Sequence, residues 1–145
     1  MEKAIECFET SLRLKRRQYV GGHLSIAETM NLLATAYTSV GKADKAIPLF
    51  EETLLIFEKR FGAHMTTANV LDSLGSVYLS EGKLENSHSY LERALALKRL
   101  IYGDDDIEVS NTLYFIGKVQ SKSGDLNDAL NTFKDGKTYL FLSSC

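Results

Sequence analysis

The chain has a single proline, Pro48, in 145 residues. Such scarcity suits a nearly all-helical fold, because proline removes a backbone donor and clashes with the preceding turn. Its two cysteines, Cys7 and Cys145, lie at opposite ends. Two cysteines do not make a disulfide framework and point to a reducing, cytoplasmic setting. No apolar run approaches the ~20 residues of a membrane span. Met1-Glu2-Lys3 leads straight into an amphipathic pattern, not into a secretory signal. The formal net charge is −2, against the basic excess of an electrostatic nucleic-acid binder. Glycine-rich phosphate loops, nucleophile elbows and HExxH are absent, so neither an enzyme nor a cofactor is expected. What is present is a packed-fold composition, 44% hydrophobic and 25% charged.

The most informative property is self-similarity. Tyr37-Thr-Ser-Val-Gly41-Lys42 recurs as Tyr78-Leu-Ser-Glu-Gly82-Lys83 and, weakened, as Gln120-Ser-Lys-Ser-Gly124-Asp125, in steps of 41 and 42 residues. In register with it, Ala4 and Phe8 recur as Ala46 and Phe50, Ser87 and Leu91, and Ala129 and Phe133. Leu33-Ala34, Leu74-Gly75 and Ile116-Gly117 form a third series.

Each unit reads as two helices. The first carries apolar or small residues at helical spacing: Met30, Leu33, Ala34 and Tyr37, and their equivalents. Gly41, Gly82 and Gly124 follow, where a left-handed cap is wanted. The second helix carries Ala46, Leu49, Phe50 and Leu54, then Tyr90, Leu91, Ala94 and Leu95, then Leu130 and Phe133. Small residues mark a close crossing of the pair: Ala34 with Ala46, Gly75 with Ser87, Gly117 with Ala129. For the helix starts, Ser25-Ile-Ala-Glu28 has capping-box spacing. Thr66 or Thr67, and Asp105 or Asp106, are the N-cap candidates of the later units. The spacing predicts seven helices: a lone one over 2–18, then 24–40 with 44–60, 66–81 with 85–101, and 106–123 with 127–141.

This small-and-large code on alternating helices is the tetratricopeptide pattern, whose usual repeat is about 34 residues. The longer unit resembles the repeats of kinesin light chains. Thr29-Met-Asn31-Leu-Leu33-Ala34-Thr-Ala-Tyr37, Gly41-Lys42 and Lys45-Ala46-Ile-Pro48-Leu49-Phe50-Glu51 carry the likeness. Val20-Gly21-Gly22, Arg60-Phe61-Gly62 and Tyr102-Gly103-Asp104 occupy its inter-repeat turn, and His23 and His64 resemble its turn histidine. The resemblance implies an all-α tetratricopeptide α-solenoid of antiparallel helix pairs, about seven helices in a right-handed superhelix. One array over 1–145 would comprise a half repeat at 1–22 and repeats at 23–62, 63–103 and 104–142. The start inside a unit and the apolar end, Tyr139 to Cys145, suggest a fragment of a longer array, or ends that pack on another copy.

In such a stack the first helices line a concave groove. The residues facing it are Glu28, Asn31, Thr35 and Thr38, then Asn69, Asp72, Ser76 and Leu79, then Asn111, Tyr114, Lys118 and Ser121. Asparagine offers both a donor and an acceptor and can hold the backbone of an extended peptide. A protein or extended peptide bound there, by an adapter, is the expected partner. A homo-oligomeric scaffold joined through its terminal helices, with Phe141, Leu142 and the helix at 2–18, is the alternative. Arg13-Leu-Lys15-Arg16-Arg17, Lys59-Arg60 and Lys98-Arg99 read as cations favoured by helix C-termini. Asp104-Asp105-Asp106 reads as a helix cap and not as a calcium loop. His23, His64 and His88 lack paired metal spacing. Cys7 reads as a core residue.

Overall fold

The computed structural model describes residues 1–20 and 23–143, with side chains to residue 136. Val20-Gly21-Gly22, one of the turns read from the sequence, lies mostly outside the described residues, as does Cys145. Seven helices follow in order: α1 (Glu2–Gln18), α2 (Leu24–Ser39), α3 (Ala43–Phe61), α4 (Met65–Ser80), α5 (Leu84–Tyr102), α6 (Ile107–Ser123) and α7 (Leu126–Ser143). No strand occurs among the described residues. The helices group into two compact units, Met1–Gly62 with α1 to α3 and Ala63–Cys145 with α4 to α7.

Local chemistry sets the helix ends. α2, α4 and α6 each end in a left-handed glycine with the same paired bonds. After α4, for example, the Lys83 N–H donates to the Tyr78 carbonyl at 2.9 Å and the Gly82 N–H to that of Leu79 at 3.1 Å. Gly41, Gly82 and Gly124 take φ of 75°, 72° and 93°, where any Cβ is disfavoured. The helix starts differ from expectation at two of three places. The caps are His23 and His64, whose Nδ1 atoms accept from the Ser25 and Thr66 N–H groups, each at 3.2 Å. Ser25 and Thr66 lie inside the first turn, and Thr67 is buried. A ring nitrogen two residues before the open N–H groups does what a capping hydroxyl would do. At the third start Asp106 caps as expected, accepting from Glu108 N–H at 2.8 Å. Replacing His64 with alanine should cost about 1 kcal/mol in a urea melt, and aspartate there should restore it. Equal stability of the alanine variant would refute the cap.

In the first unit α1 packs on α2 and α2 on α3. Ala27, Met30, Ala34, Ala46 and Phe50 are almost wholly buried. The basic end of α1 is tied inward as well as placed at the helix terminus. Lys15 Nζ donates to Thr29 Oγ1 at 2.7 Å and Arg16 pairs with Glu52 at 2.9 Å. The Tyr37 hydroxyl donates to the Glu9 carboxylate. Burial first, and then that carboxylate, push the phenol up to about 12. Cys7 is exposed, contrary to the core reading. It stands where Leu49 and Tyr90 stand in later units, a face that meets the first helix of the same pair. Among the described residues no such helix precedes α1.

In the second unit α4 packs on α5, α5 on α6 and α6 on α7. Leu79, Leu91, Leu95, Val109, Leu113, Ile116 and Val119 form its core, with Leu84 and Phe115 against it. Each such side chain fully buried contributes roughly 1.5–3 kcal/mol. The crossings are as close as the small residues predict. Ser87 Oγ donates to the Gly75 carbonyl at 2.6 Å. The space at Gly75 is filled by Leu91, and that at Gly117 by Phe133. Two expectations fail here. Leu79 belongs to the core and not to a groove, and Leu130 is exposed where Ala129 is buried. Leu130 sits one position off the stripe, in the place of His88.

Candidate functional site

The first-helix residues singled out from the sequence fall into two sets, one in each unit. On α2, Glu28 and Thr35 are exposed and Asn31 is half-buried. The Thr35 hydroxyl donates to the Asn31 carbonyl at 2.8 Å, so both side chains stand on one strip of the helix. In the second unit α4 touches α6 directly. Asn69 and Asn111 occupy the same repeat position on these two helices, and both are exposed. Ser76 and Lys118, again equivalent, are half-buried.

At the third equivalent pair the two helices diverge in chemistry. Asp72 is committed to a charged network. Lys98 of α5, with 2% of its side chain exposed, pairs with the Asp72 carboxylate and with Glu108 at 3.0 Å. The buried Thr112 hydroxyl lies 2.9 and 3.1 Å from the two Asp72 oxygens. Burial holds the Asp72 carboxyl above its ordinary range, reinforced by Glu108 and opposed by Lys98 and Thr112. Burial would lower Lys98, but the Asp72 and Glu108 carboxylates outweigh it and hold the ammonium above its usual value. The sequence reading missed this cluster. It took Lys98 with Arg99 as a pair of C-terminal cations. The available signal was register: Lys98 stands where Phe57, a buried residue, stands one period earlier.

Tyr114, the counterpart of Asp72, presents an open ring, 54% exposed. It tilts against Phe133 at 6.0 Å and meets Phe115 edge-on at 5.8 Å. Lys118 Nζ lies 5.3 Å from the Tyr114 ring centre and 5.9 Å from that of Phe115. The negative faces of the two rings attract the ammonium group. This face therefore offers two amides, an aromatic ring and a cation to a ligand. Phe141 and Leu142, named for self-association, fall in α7, but their side chains lie outside the described residues. No helix among the described residues is long and apolar enough to cross a membrane. Among them, no three His, Cys, Asp or Glu side chains group as metal ligands.

Known proteins agree with the repeat reading. The tetratricopeptide repeat family model matches residues 1–59, 29–100 and 66–136. Among curated proteins none matches this chain. BtubC (BKLC) from P. vanneervenii is 25% identical over 99% of the chain, with a TM-score of 0.91. This chain spans 57% of the BtubC chain. A Podosopora anserina chain of nearly identical, kinesin light chain TPR-like repeats matches 98% of it at 17% identity and a TM-score of 0.84. A point variant of that P. anserina protein covers 99% at 17% identity and a TM-score of 0.86. This chain covers 68% of each of those two. The two P. anserina matches share the fold, an α-solenoid of helix pairs, and the tetratricopeptide repeat generally serves protein–protein interaction. With its family model matched from residue 1 to residue 136, the chain belongs to the tetratricopeptide repeat family.

Proposed function

We propose that this chain is an adapter that binds an extended segment of a partner protein on its first-helix face. The observation that carries this reading is the pair Asn69 and Asn111, exposed at one repeat position on the touching helices α4 and α6. Each amide can donate to a peptide carbonyl and accept from a peptide N–H. Two in register hold a backbone without dictating its sequence. Tyr114 adds an aromatic contact, and Ser76 a small polar one. Lys118, with the exposed Lys122 one turn on, favours a ligand acidic toward the last repeat. On α2 of the first unit, Glu28, Asn31 and Thr35 present a polar strip of their own. Tetratricopeptide architecture alone does not name a partner, since function lies in the site and not in the fold.

The test begins with capture of partners on the full chain and mapping of the shortest binding segment. Asn69→Ala combined with Asn111→Ala should weaken that segment about tenfold or more, since each lost hydrogen bond is worth about 1 kcal/mol. Both side chains are exposed, so the melting temperature should hold. Unaltered affinity in calorimetry would refute the amide face as the binding surface.

A further inference from the structure

Helices α5, α6 and α7 repeat the arrangement of α1, α2 and α3 two repeats on. In the first unit the seam between the three helices is filled. Tyr37 of α2 is buried there and its hydroxyl donates to Glu9 of α1. Lys45 Nζ of α3 lies 5.4 Å from the centre of the Tyr37 ring. In the second unit Gln120 stands in the place of Tyr37, and Glu92 in that of Glu9. Asp128 takes the place of Lys45, and Asp125 that of Lys42. The ring has become an amide, and both cations have become carboxylates.

A cleft of about 270 Å³ opens at this point, walled by all three helices. The opening is a property of its side chains, since the same three-helix seam closes over Tyr37. Val119, buried, and Leu84, half-buried, give the cleft an apolar side. Glu85, Asp125 and Asp128 give it a carboxylate rim. The Thr132 hydroxyl donates to Gln120 Oε1 at 2.7 Å, which holds the amide toward α7. The Ser123 hydroxyl donates to Asp125 at 2.9 Å. Among the described residues no lysine or arginine pairs with any of the three carboxylates. His88, on the same wall, has its Nε2 3.7 Å from Glu92.

What the first unit supplies from its own chain, a flat group and a positive charge, is missing here. An arginine side chain carries both. Its stem packs along apolar surface, and its planar guanidinium presents five N–H donors to carboxylates in a fixed fork. A metal ion fits less well, because among the described residues the carboxylates do not converge into a ligand set. A lysine ammonium is a compact point charge and cannot span separate carboxylates as the guanidinium does.

We propose that the α5–α6–α7 cleft takes an arginine side chain of a partner protein. The guanidinium meets Asp125, Asp128 and Glu85, and the stem lies on Leu84 and Val119. No residue of this cleft belongs to the amide face, so the site stands apart from the peptide-binding one.

The test is an NMR titration of the isotope-labelled full chain at low ionic strength, where exposed charges are least screened. The probe is N-acetyl-arginine methylamide. Saturable shifts are expected at the backbone amides of Gln120, Ser123 and Asp125. The citrulline analogue, nearly the same shape without the charge, should bind about tenfold more weakly or worse. Asp125→Asn with Asp128→Asn should weaken the arginine probe about tenfold, and the equal size of amide and carboxylate should preserve the fold. Gln120→Tyr with Asp125→Lys rebuilds the seam of the first unit and should abolish binding. Asn69→Ala with Asn111→Ala should leave it unchanged. No saturable shift at these amides, equal affinity for the citrulline analogue, or undiminished affinity in the folded asparagine variant overturns the proposal. So does calcium chloride that shifts the same amides where the arginine probe does not, because the cleft then holds a metal ion.

Discussion

Lys98→Ala should cost the fold about 3 kcal/mol, near the lower end of what breaking a buried ion pair costs. The low end is appropriate because Asp72 and Glu108 keep 19% and 39% of their side chains exposed. The loss arises from what remains. Asp72 keeps one donor, Thr112, and faces Glu108 with no cation between them. A thermal midpoint roughly 10 °C lower is expected for a chain of this size. The pH dependence gives the effect its signature. Lys98 is held above its ordinary value in the folded protein. Its stabilisation is therefore complete below the unfolded lysine pKa of about 10.4 and is lost as pH rises through the folded value. Lys98→Ala should flatten that alkaline limb. On the acid side Asp72, already raised by burial, should rise further without Lys98. Proton uptake then relieves the stranded charge, so the deficit should shrink as pH falls from about 7 toward about 4. Lys98→Met with Asp72→Leu should recover most of the loss. Apolar replacement of buried pairs is often neutral or better, and Phe57 already fills the same register position. Urea melts across pH check each point. A pH-independent deficit would assign the loss to packing alone.

The three helical glycines of the second unit should rank in a fixed order when changed to alanine. A Cβ on Gly75 would lie 2.5 Å from Leu91 Cγ and 2.6 Å from its Cδ2. Leu91 is fully buried and has nowhere to go. Overpacking costs about 1–3 kcal/mol, offset by about 1 kcal/mol of helix propensity. With contacts this short the upper part of the overpacking range applies, so Gly75→Ala should lose about 1–2 kcal/mol. Gly117→Ala meets the Phe133 ring at 2.5 Å. That ring is only half-buried and can give way, so the loss should be smaller. At Gly136 the nearest atoms lie 3.6 and 3.7 Å away, at ordinary contact distance. Gly136→Ala should gain about 0.5–1 kcal/mol. Denaturant midpoints decide the order. A Gly75→Ala protein as stable as the parent would mean the close crossing does not constrain the helix pair.

Much of the architecture was readable in one dimension. The Tyr-to-Gly steps of 41 and 42 residues placed seven helices to within about two residues at nearly every end. Left-handed glycine caps and small crossing residues depend on neighbours in sequence or on one partner helix, and the repeat names that partner. The turn histidines were seen but not understood. His23 and His64 resembled family turn residues, and the geometry shows them as caps. Cys7 was misplaced because periodicity states that a position faces a helix, not that the helix is there, whereas Leu130 was misplaced by one position of register, Ala129 being the buried member of the stripe.

The sequence by itself determined the repeat, the helix order and the family. Those follow from local hydrogen bonding and from the 3.6-residue periodicity of burial. Tertiary structure alone decided that Asp72 belongs to an ion network while its equivalent Tyr114 stands open. That choice depends on Lys98, 26 residues away, and on the lack of a covering helix over Tyr114 among the described residues. Burial and charge at a seam are set by the third helix to arrive, and no single segment encodes what the third helix brings.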